Sequence, residues 1–303
     1  MTLDNFVSVS QLEPEDFWEI METAKTLKAD LRSGKSHEIL PGQTLGMVFL
    51  KPSLRTRVSF EVGMTQMGGH AIYLGPDDIK LGERETTEDI GLVLSRYVDG
   101  IMARVFEHEI IEDLAEYASV PVVNGLTDFL HPCQALADFF TIYEAKRELA
   151  GLKLAFIGDG NNVAHSLINA SALVGVDFAI ACPEGYEPDE SVVDSAREAT
   201  GLEIYHDPRE AVSGADVIYT DVWASMGEED VAGEKKGSFD GFRVDRELVE
   251  LAGSGAIVMH CLPAHYDEEI AKSVAHGDNS VIFEQAENRM HTEKALLALL
   301  MNK

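Results

Sequence analysis

Short apolar runs alternate with amphipathic stretches along the whole chain. Between most of the runs, apolar residues recur at helical spacing, as they do in residues 56–68 and 161–175. An alternation of this kind predicts parallel sheets with helices on both faces. The runs that we interpret as buried strands are residues 45–50, 70–74, 99–105, 121–125, 152–158, 177–182, 216–220, 256–260 and 280–283.

The segment 132–150 predicts a long helix between two doubly wound parallel-sheet domains, because four of the apolar runs precede it and five follow it. A chain of 303 residues is long enough for two domains of about 150 residues each. The last predicted helix, at 285–302, is placed to return to the first domain. We therefore expect a first domain of residues 1–139 plus 285–303, and a second domain of residues 140–284.

The composition is that of a globular protein, with 45% apolar residues. No apolar run approaches the roughly 18 residues that a membrane-spanning helix needs. The first residues are acidic and lack the pattern of a secretory signal, so we expect a cytoplasmic protein. Three cysteines without CxxC or Cys/His spacing argue against a disulfide framework and against a structural zinc site.

Acidic residues dominate the charge, with 53 Asp and Glu against 24 Lys and Arg and a net charge of −29. Such a field repels nucleic acids and anionic membranes, so we expect neither as a partner. The acidic residues are spread along the chain and do not form a tail. Two interpretations remain open: a hydrated, halophilic surface suited to a high-salt cytoplasm, or an ordinary acidic enzyme. An anionic substrate would need a local basic site.

The first candidate basic site follows the predicted strand 45–50. Ser53 is a plausible N-cap, so the next residues would begin a helix with exposed backbone N–H groups. These groups, the hydroxyls of Ser53 and Thr56, and the guanidinium groups of Arg55 and Arg57 are suited to bind a phosphate. Positive charge in a first helical turn opposes the helix dipole, which favours an anion site over an ordinary capped surface helix.

Further polar residues stand at the ends of other predicted strands of the first half. Arg104 adds a guanidinium group at a strand end, which is a weak signal when taken alone. His131 and Gln134 lie at the start of a helix, with Pro132 in its first turn. They could polarise a carbonyl oxygen and bind an NH2 group, although His131 could also merely cap the helix. Arg289, early in the last helix, could reach back to this site.

The second half presents its polar residues in the same position, after strands. The glycine turn at 158–162 departs from GxGxxG, so dinucleotide binding is disfavoured. Asn161 and Asn162 could instead supply carboxamides to a zwitterionic substrate, and Asp221 could bind an ammonium group. Cys261 lies in a turn before a proline, but a lone cysteine is more often a small buried apolar residue than a catalytic one.

Together these motifs resemble the aspartate/ornithine transcarbamylase family across nearly the whole chain. SxRTR at 53–57 and HPCQ at 131–134 mark carbamoyl phosphate transferases in general. DVWASMG at 221–227 and HCLP at 260–263 are more specific, and they are typical of members that use ornithine. ENR at 287–289 completes the set in family order.

The resemblance implies transfer of the carbamoyl group from carbamoyl phosphate to the side-chain amine of L-ornithine, giving citrulline in arginine metabolism. It also implies a homotrimer or a multiple of trimers, and no metal or organic cofactor. The implied carbamoyl phosphate ligands are Ser53, Leu54, Arg55, Thr56, Arg104, His131, Gln134, Cys261, Leu262 and Arg289. The implied ornithine ligands are Asn162, Asp221, Ser225 and Met226. The implied catalytic residues are Arg104, His131, Asp221 and Cys261, with Cys261 a positioning group and not a nucleophile.

Two positions depart from the family pattern. Leu54 replaces the Thr of STRTR, which removes one hydroxyl but keeps the backbone N–H. Lys80 stands where many relatives carry Gln, and we expect it to contact a phosphate, either of its own subunit or of a neighbouring one. The alternatives are a transcarbamylase for another amine, such as putrescine or an acylated ornithine, and a non-catalytic binding protein that has kept the fold.

Overall fold

The computed structural model describes residues 3–79, 81, 85–197, 199–224 and 232–302. The chain divides into two compact units, one formed by Met1–Ala137 with Glu287–Lys303 and the other by Asp138–Ala286. Within the described ranges, no helix is both long enough and apolar enough to cross a membrane.

The first unit contains a four-stranded parallel sheet in the order β2-β1-β3-β4. Every residue of β3 and β4 is buried, as expected for parallel strands that are covered on both faces. The edge strand β2 is half exposed. The strands are β1 Thr44–Phe49, β2 His70–Leu74, β3 Gly100–Arg104 and β4 Val122–Leu126.

The helices of the first unit include the last helix of the chain. In α1 the apolar side chains Phe17, Ile20 and Leu27 form one buried face. In the last helix, α13, Met301 lies beside Gly100 of β3, where a Cβ atom would meet its sulfur at 3.1 Å. The helices are α1 Pro14–Arg32, α2 Leu54–Gln66, α3 Pro76–Ile79, α4 Thr87–Leu94, α5 His108–Tyr117 and α13 Ile282–Met301. The predicted return of the last helix to the first unit is confirmed.

The second unit contains a five-stranded parallel sheet in the order β7-β6-β5-β8-β9. It is entered through α6, Pro132–Lys146, which begins in the first unit. The strands are β5 Lys153–Ile157, β6 Asp177–Ala181, β7 Leu202–Tyr205, β8 Val217–Thr220 and β9 Ile257–His260. The helices are α7 Asn162–Val174, α8 Glu190–Ala196, α9 Pro208–Val212, α10 Ala232–Ser238, α11 Arg246–Ala252 and α12 Lys272–Ala275.

The predicted fold class, two doubly wound parallel-sheet units joined by a long helix, is confirmed, but one predicted strand is wrong and one strand was missed. The apolar run 280–283 is not a strand: Ser280 makes one isolated bridge to Val258, and α13 begins at Ile282. Conversely, the sequence pattern missed β7, which is an edge strand with no buried residue. Its half-exposed side chains give no apolar run from which to predict it.

Candidate active site

The N-terminus of α2 lies beside the carboxyl end of β3. The Ser53 hydroxyl caps the helix by accepting a 3.3 Å hydrogen bond from the Thr56 N–H, and it donates to Thr56 Oγ1 at 3.1 Å. Arg104 Nη1 also donates to Thr56 Oγ1, at 3.5 Å. Arg104 reaches this turn because it pairs in register with Phe49, the last residue of β1 before the turn. The sequence-predicted Ser53, Thr56 and Arg104 are therefore brought together.

Arg57 lies away from this group. Its Nε donates to Glu61 Oε1 at 2.8 Å, and its guanidinium group lies 4.1 Å from the centre of the Tyr73 ring. Residues two apart on a helix point about 200° apart, so Arg55 and Arg57 cannot face one anion. Only one of the two motif arginines, Arg55, is thus placed beside the capped turn. The Leu54 side chain, at the first position of α2, is 76% exposed.

His131 lies within electrostatic range of four cationic side chains. Burial lowers its pKa well below 6.5, and the charges of four cations, Arg289, Arg104, Arg55 and Lys51, lower it further, in that order. The imidazole is therefore neutral at neutral pH, which suits it to hydrogen-bond an uncharged carbonyl oxygen. Lys51, which is 7% exposed, was not among the predicted ligands. Its position directly after the β1 run was the signal that could have indicated it.

The loop that delivers His131 is fixed by hydrogen bonds of its own. The Thr127 hydroxyl oxygen accepts the Leu130 N–H at 3.0 Å, and it lies 2.9 Å from His108 Nδ1 at the start of α5. This loop holds the histidine directly before α6, whose first residue is Pro132.

Helix α13 adds Arg289 to the same site. Arg289 Nη1 donates to Gln134 Oε1 at 2.6 Å, so the predicted pair of side chains is in direct contact. Its Nε and Nη2 atoms donate to Glu293 Oε1 at 3.0 and 2.8 Å. Glu293 is 1% exposed, and burial raises its pKa while Arg289 opposes the rise. Sequence reasoning missed Glu293, although its position four residues after Arg289 was a signal for a helical ion pair.

In the second unit, Asp221 is the centre of a hydrogen-bonded group. Its Oδ1 accepts from the Cys261 thiol and from the Val222 N–H, both at 2.8 Å, and its Oδ2 accepts from Asn161 Nδ2 at 3.0 Å. Strands β5, β8 and β9 are adjacent, so their carboxyl ends bring the three residues to one edge of the sheet. A carboxylate that accepts from three donors, one of them a thiol, can position an amine.

The glycine turn after β5 serves close packing and helix capping. Asn161 caps α7, since its Oδ1 accepts the N–H groups of Val163 and Ala164 at 2.9 and 3.2 Å. Asn162 is the first residue of α7 and is 9% exposed. A Cβ atom on Gly160 would lie 2.2 Å from the backbone nitrogen of Pro188, so only glycine fits there. This close approach accounts for the glycine without any bound dinucleotide.

Cys261 lies in the turn after β9 and is partly exposed. Leu262 has a φ of 59° and is joined to Pro263 by a cis peptide bond. The candidate ligand atoms of Asp221, His260 and Cys261 lie within 4.8 Å of one another, the arrangement of a possible cation site. However, both ring nitrogens of His260 are hydrogen-bonded, to Glu269 and to the Leu262 N–H, so a metal would have to displace one of these bonds. The donor set therefore fits a metal poorly.

Three predicted ligands lie outside the described residues. Lys80 follows α3, and Ser225 and Met226 follow the described residue Ala224.

Two family models match the sequence. The model described as aspartate/ornithine carbamoyltransferase, carbamoyl-P binding domain, matches residues 4–144, and the Asp/Orn binding domain of the same family matches residues 150–300. The chain belongs to this family. The predicted family is thus confirmed.

Individual members of the family are similar over nearly the full chain. An ornithine carbamoyltransferase of Pyrococcus abyssi is 55% identical over 293 residues, covering 95% of this chain and 92% of the relative. An anabolic ornithine carbamoyltransferase of Pyrococcus furiosus is 54% identical over 292 residues, covering 95% and 93%. The solved structure of the ornithine carbamoyltransferase from Pyrococcus furiosus superimposes with a TM-score of 0.95 at 53% identity, covering 98% of this chain and 96% of that one.

Proposed function

We propose that this member of the carbamoyltransferase family transfers the carbamoyl group of carbamoyl phosphate to the side-chain amine of L-ornithine, giving L-citrulline and phosphate. The observation that carries the proposal is the neutral His131 among four cations, in a chain whose net charge is −29. A concentration of positive charge against that background fits an anionic substrate with a carbonyl group to polarise. The family membership and the two relatives named ornithine carbamoyltransferase support the choice of substrates.

On the donor side, the cations bind the phosphate and the uncharged groups bind the carbamoyl moiety. Arg55, Arg104 and Lys51 neutralise the leaving phosphate, while the Ser53 and Thr56 hydroxyls and the Leu54 N–H donate hydrogen bonds to it. The carbamoyl group is bound by His131, Gln134 and Arg289 and by the carbonyls of Cys261 and Leu262. His131 and Arg289 are preorganised donors that stabilise the charge developing on the carbonyl oxygen, while the backbone carbonyls accept from the NH2 group. Lys80 is included in the proposal as a further phosphate ligand.

On the acceptor side, Asn162, Asp221, Ser225 and Met226 bind ornithine, and Asp221 and Cys261 position its δ-amine in the uncharged form. The amine nitrogen attacks the carbonyl carbon, and the tetrahedral intermediate collapses as the bond to the phosphate oxygen breaks. The amine proton passes to the departing phosphate. No covalent enzyme intermediate is needed, and much of the rate comes from the alignment of two bound substrates.

The proposal assigns carbamoyl phosphate to residues 1–139 with 285–303, and ornithine to residues 140–284. It also includes a homotrimer, or a multiple of it. An exposed apolar face of the first unit supports this assembly, because apolar patches of this kind mark protein contacts. The face lies on α2 and begins at its capped turn, where Leu54, Val58 and Val62 follow one another at a spacing of four residues and are 38–76% exposed.

We place the protein in the cytoplasm, with an acidic surface adapted to high salt. Its three cysteines are not joined in disulfide bonds, which fits a reducing compartment. The large excess of acidic residues is consistent with a surface that holds a hydration layer at high ionic strength.

A citrulline assay with purified protein tests the activity, with putrescine and N-acetylornithine as competing acceptors. We expect turnover with ornithine and none with the other two acceptors. A lack of turnover with ornithine would refute the proposed function. Arg55→Ala tests the phosphate site, since each lost charge-assisted hydrogen bond costs about 1.5–3 kcal/mol, or about 10- to 100-fold in kcat/KM. Arg197→Ala is the matched control, because Arg197 is 60% exposed in a surface ion pair with Asp194. Unchanged transfer by Arg55→Ala would contradict the phosphate assignment.

A further inference from the structure

A buried carboxylate lies directly behind the turn that carries Cys261. Glu269 is fully buried, and its Oε1 accepts two hydrogen bonds, from His260 Nε2 at 3.0 Å and from the His265 N–H at 2.5 Å. The His260 side chain is also fully buried. Burying a carboxylate is costly unless it is hydrogen-bonded, so the structure uses Glu269 to hold these two groups.

The hydrogen bonds of His260 fix its tautomer. The Leu262 N–H lies 2.8 Å from His260 Nδ1, and because a backbone N–H can only donate, Nδ1 must accept. The ring proton of the neutral imidazole is therefore on Nε2, where it points at Glu269. Nε2 thus donates to Glu269 and Nδ1 accepts from the Leu262 N–H, so both ring nitrogens have a hydrogen-bond partner.

Both chain neighbours of Cys261 are held by this arrangement. Leu262 is kept at a φ of 59°, a left-handed conformation that is unfavourable for a leucine without support. The backbone N–H of His260 is held from the other side by Gln285 Oε1 at 2.9 Å. The Cys261 thiol between them donates to Asp221 Oδ1 at 2.8 Å. The two hydrogen bonds of the His260 ring thus support the backbone that directly follows the thiol.

We propose that Glu269 and His260 are positioning residues of the acceptor site, and that Glu269, acting through the His260 ring, sets the Cys261 thiol against Asp221. The inference rests on the proposed function and deepens it, since it names what orients the group beside the ornithine amine. Glu269 acts as a hydrogen-bond acceptor: one oxygen takes both bonds, and the other has no hydrogen-bond partner among the described residues. A glutamine, which keeps one acceptor oxygen, should therefore replace it in function, and an alanine should not.

The test compares Glu269→Ala and Glu269→Gln with Glu284→Ala, whose wild-type side chain is exposed in the first turn of α13. We expect Glu269→Ala to lower kcat/KM for ornithine at least about tenfold, the equivalent of one lost buried hydrogen bond. Glu269→Gln should stay within about threefold of the wild type, and Glu284→Ala should equal it.

A second measurement does not depend on activity. The alkylation rate of Cys261 by iodoacetamide is followed by mass spectrometry in the absence of substrates. This rate depends on the exposure and the reactivity of the thiol, and so on its orientation against Asp221. We expect a change of at least about threefold in Glu269→Ala and none in Glu269→Gln. Cys133 and Cys182 serve as internal controls, because burial raises the pKa of both thiols and keeps them unreactive.

Wild-type kcat/KM and wild-type Cys261 alkylation in Glu269→Ala would overturn the proposal, as would equal impairment of Glu269→Ala and Glu269→Gln. If Glu269→Ala fails to fold, His260→Gln replaces it, because glutamine can still reach Glu269 but leaves the Leu262 N–H without its acceptor. The same losses are then expected, and wild-type values would overturn the proposal. Absence of carbamoyl transfer in the wild type would refute the proposed function, while the alkylation rates would still decide this inference.

Discussion

Replacing Arg289 with methionine should destabilise the first unit far more than the loss of a surface charge would. The arginine makes two hydrogen bonds to Glu293 Oε1, at 3.0 and 2.8 Å, and the two side chains are 6% and 1% exposed. Methionine keeps most of the apolar stem but leaves Glu293 buried without its cation. Breaking a buried pair by removing one partner costs about 3–5 kcal/mol, so we expect a loss of that size at pH 7.

The loss should depend on pH in a defined direction. Burial raises the pKa of Glu293 above its ordinary value of 4.5, and Arg289 now limits that rise. A carboxyl group whose pKa is higher in the folded state favours folding when it is protonated. Its contribution to stability is therefore greatest below about pH 4.5 and is lost as the pH rises through the folded-state pKa. Without Arg289 that pKa rises further, so the variant should recover part of its lost stability on mild acidification.

Urea unfolding of the wild type, Arg289→Met, Glu293→Gln and the double variant measures this coupling as a function of pH. The double variant should be more stable than Arg289→Met at pH 7, because no unpaired carboxylate remains. Arg246→Met is the matched control: Arg246 and Glu250 have the same spacing and a 2.8 Å contact, but they are 86% and 65% exposed. It should cost no more than about 0.5 kcal/mol. A loss in Arg289→Met that is independent of pH and not relieved by Glu293→Gln would refute the reasoning.

Three further outcomes are expected. Lys235→Met should raise KM for ornithine about 3- to 10-fold and leave KM for carbamoyl phosphate unchanged. The reason is that Lys235 Nζ lies 2.7 Å from Asp159 Oδ2, in the turn before Asn162. An unchanged KM for ornithine in steady-state kinetics would contradict this. Val62→Glu should reduce the molar mass measured by light scattering below that of a trimer, since Val62 lies on the exposed apolar face, and an intact trimer would argue against that interface. Raising KCl from about 0.1 M to about 2 M should increase both activity and the thermal unfolding midpoint if the acidic surface is halophilic, and indifference to salt would contradict that interpretation.

The pattern of apolar runs predicted most of the fold because a strand that is buried on both faces is a continuous run of apolar residues. The run at 152–158 contains β5, and the polar residues that follow such runs do lie at the carboxyl ends of the strands. The pattern failed where the apolar run and the type of secondary structure do not correspond. β7 is a strand without a buried residue, and residues 280–283 are apolar but begin a helix, which a short run cannot distinguish from a strand.

The candidate ligands could be predicted better than the residues that support them. Ser53, Thr56 and Arg104 follow strands and carry recognisable chemistry, so their grouping was predictable. The contact between Glu269 and His260 was not, because it depends on the path of the chain through the turn between them and not on any periodicity. The surface position of Arg57 could have been predicted from helical geometry, since residues two apart face opposite sides.

The first unit is discontinuous in sequence, and this has a consequence for its biosynthesis. Residues 1–137 leave the ribosome first, but Arg289 and the buried apolar face of α13 belong to residues 287–303. The carbamoyl phosphate site proposed here thus lacks one cation until the whole second unit has been translated. A chain that is released before residue 287 should contain a folded second sheet and an incomplete first unit, and gain of the donor site would then mark completion of translation.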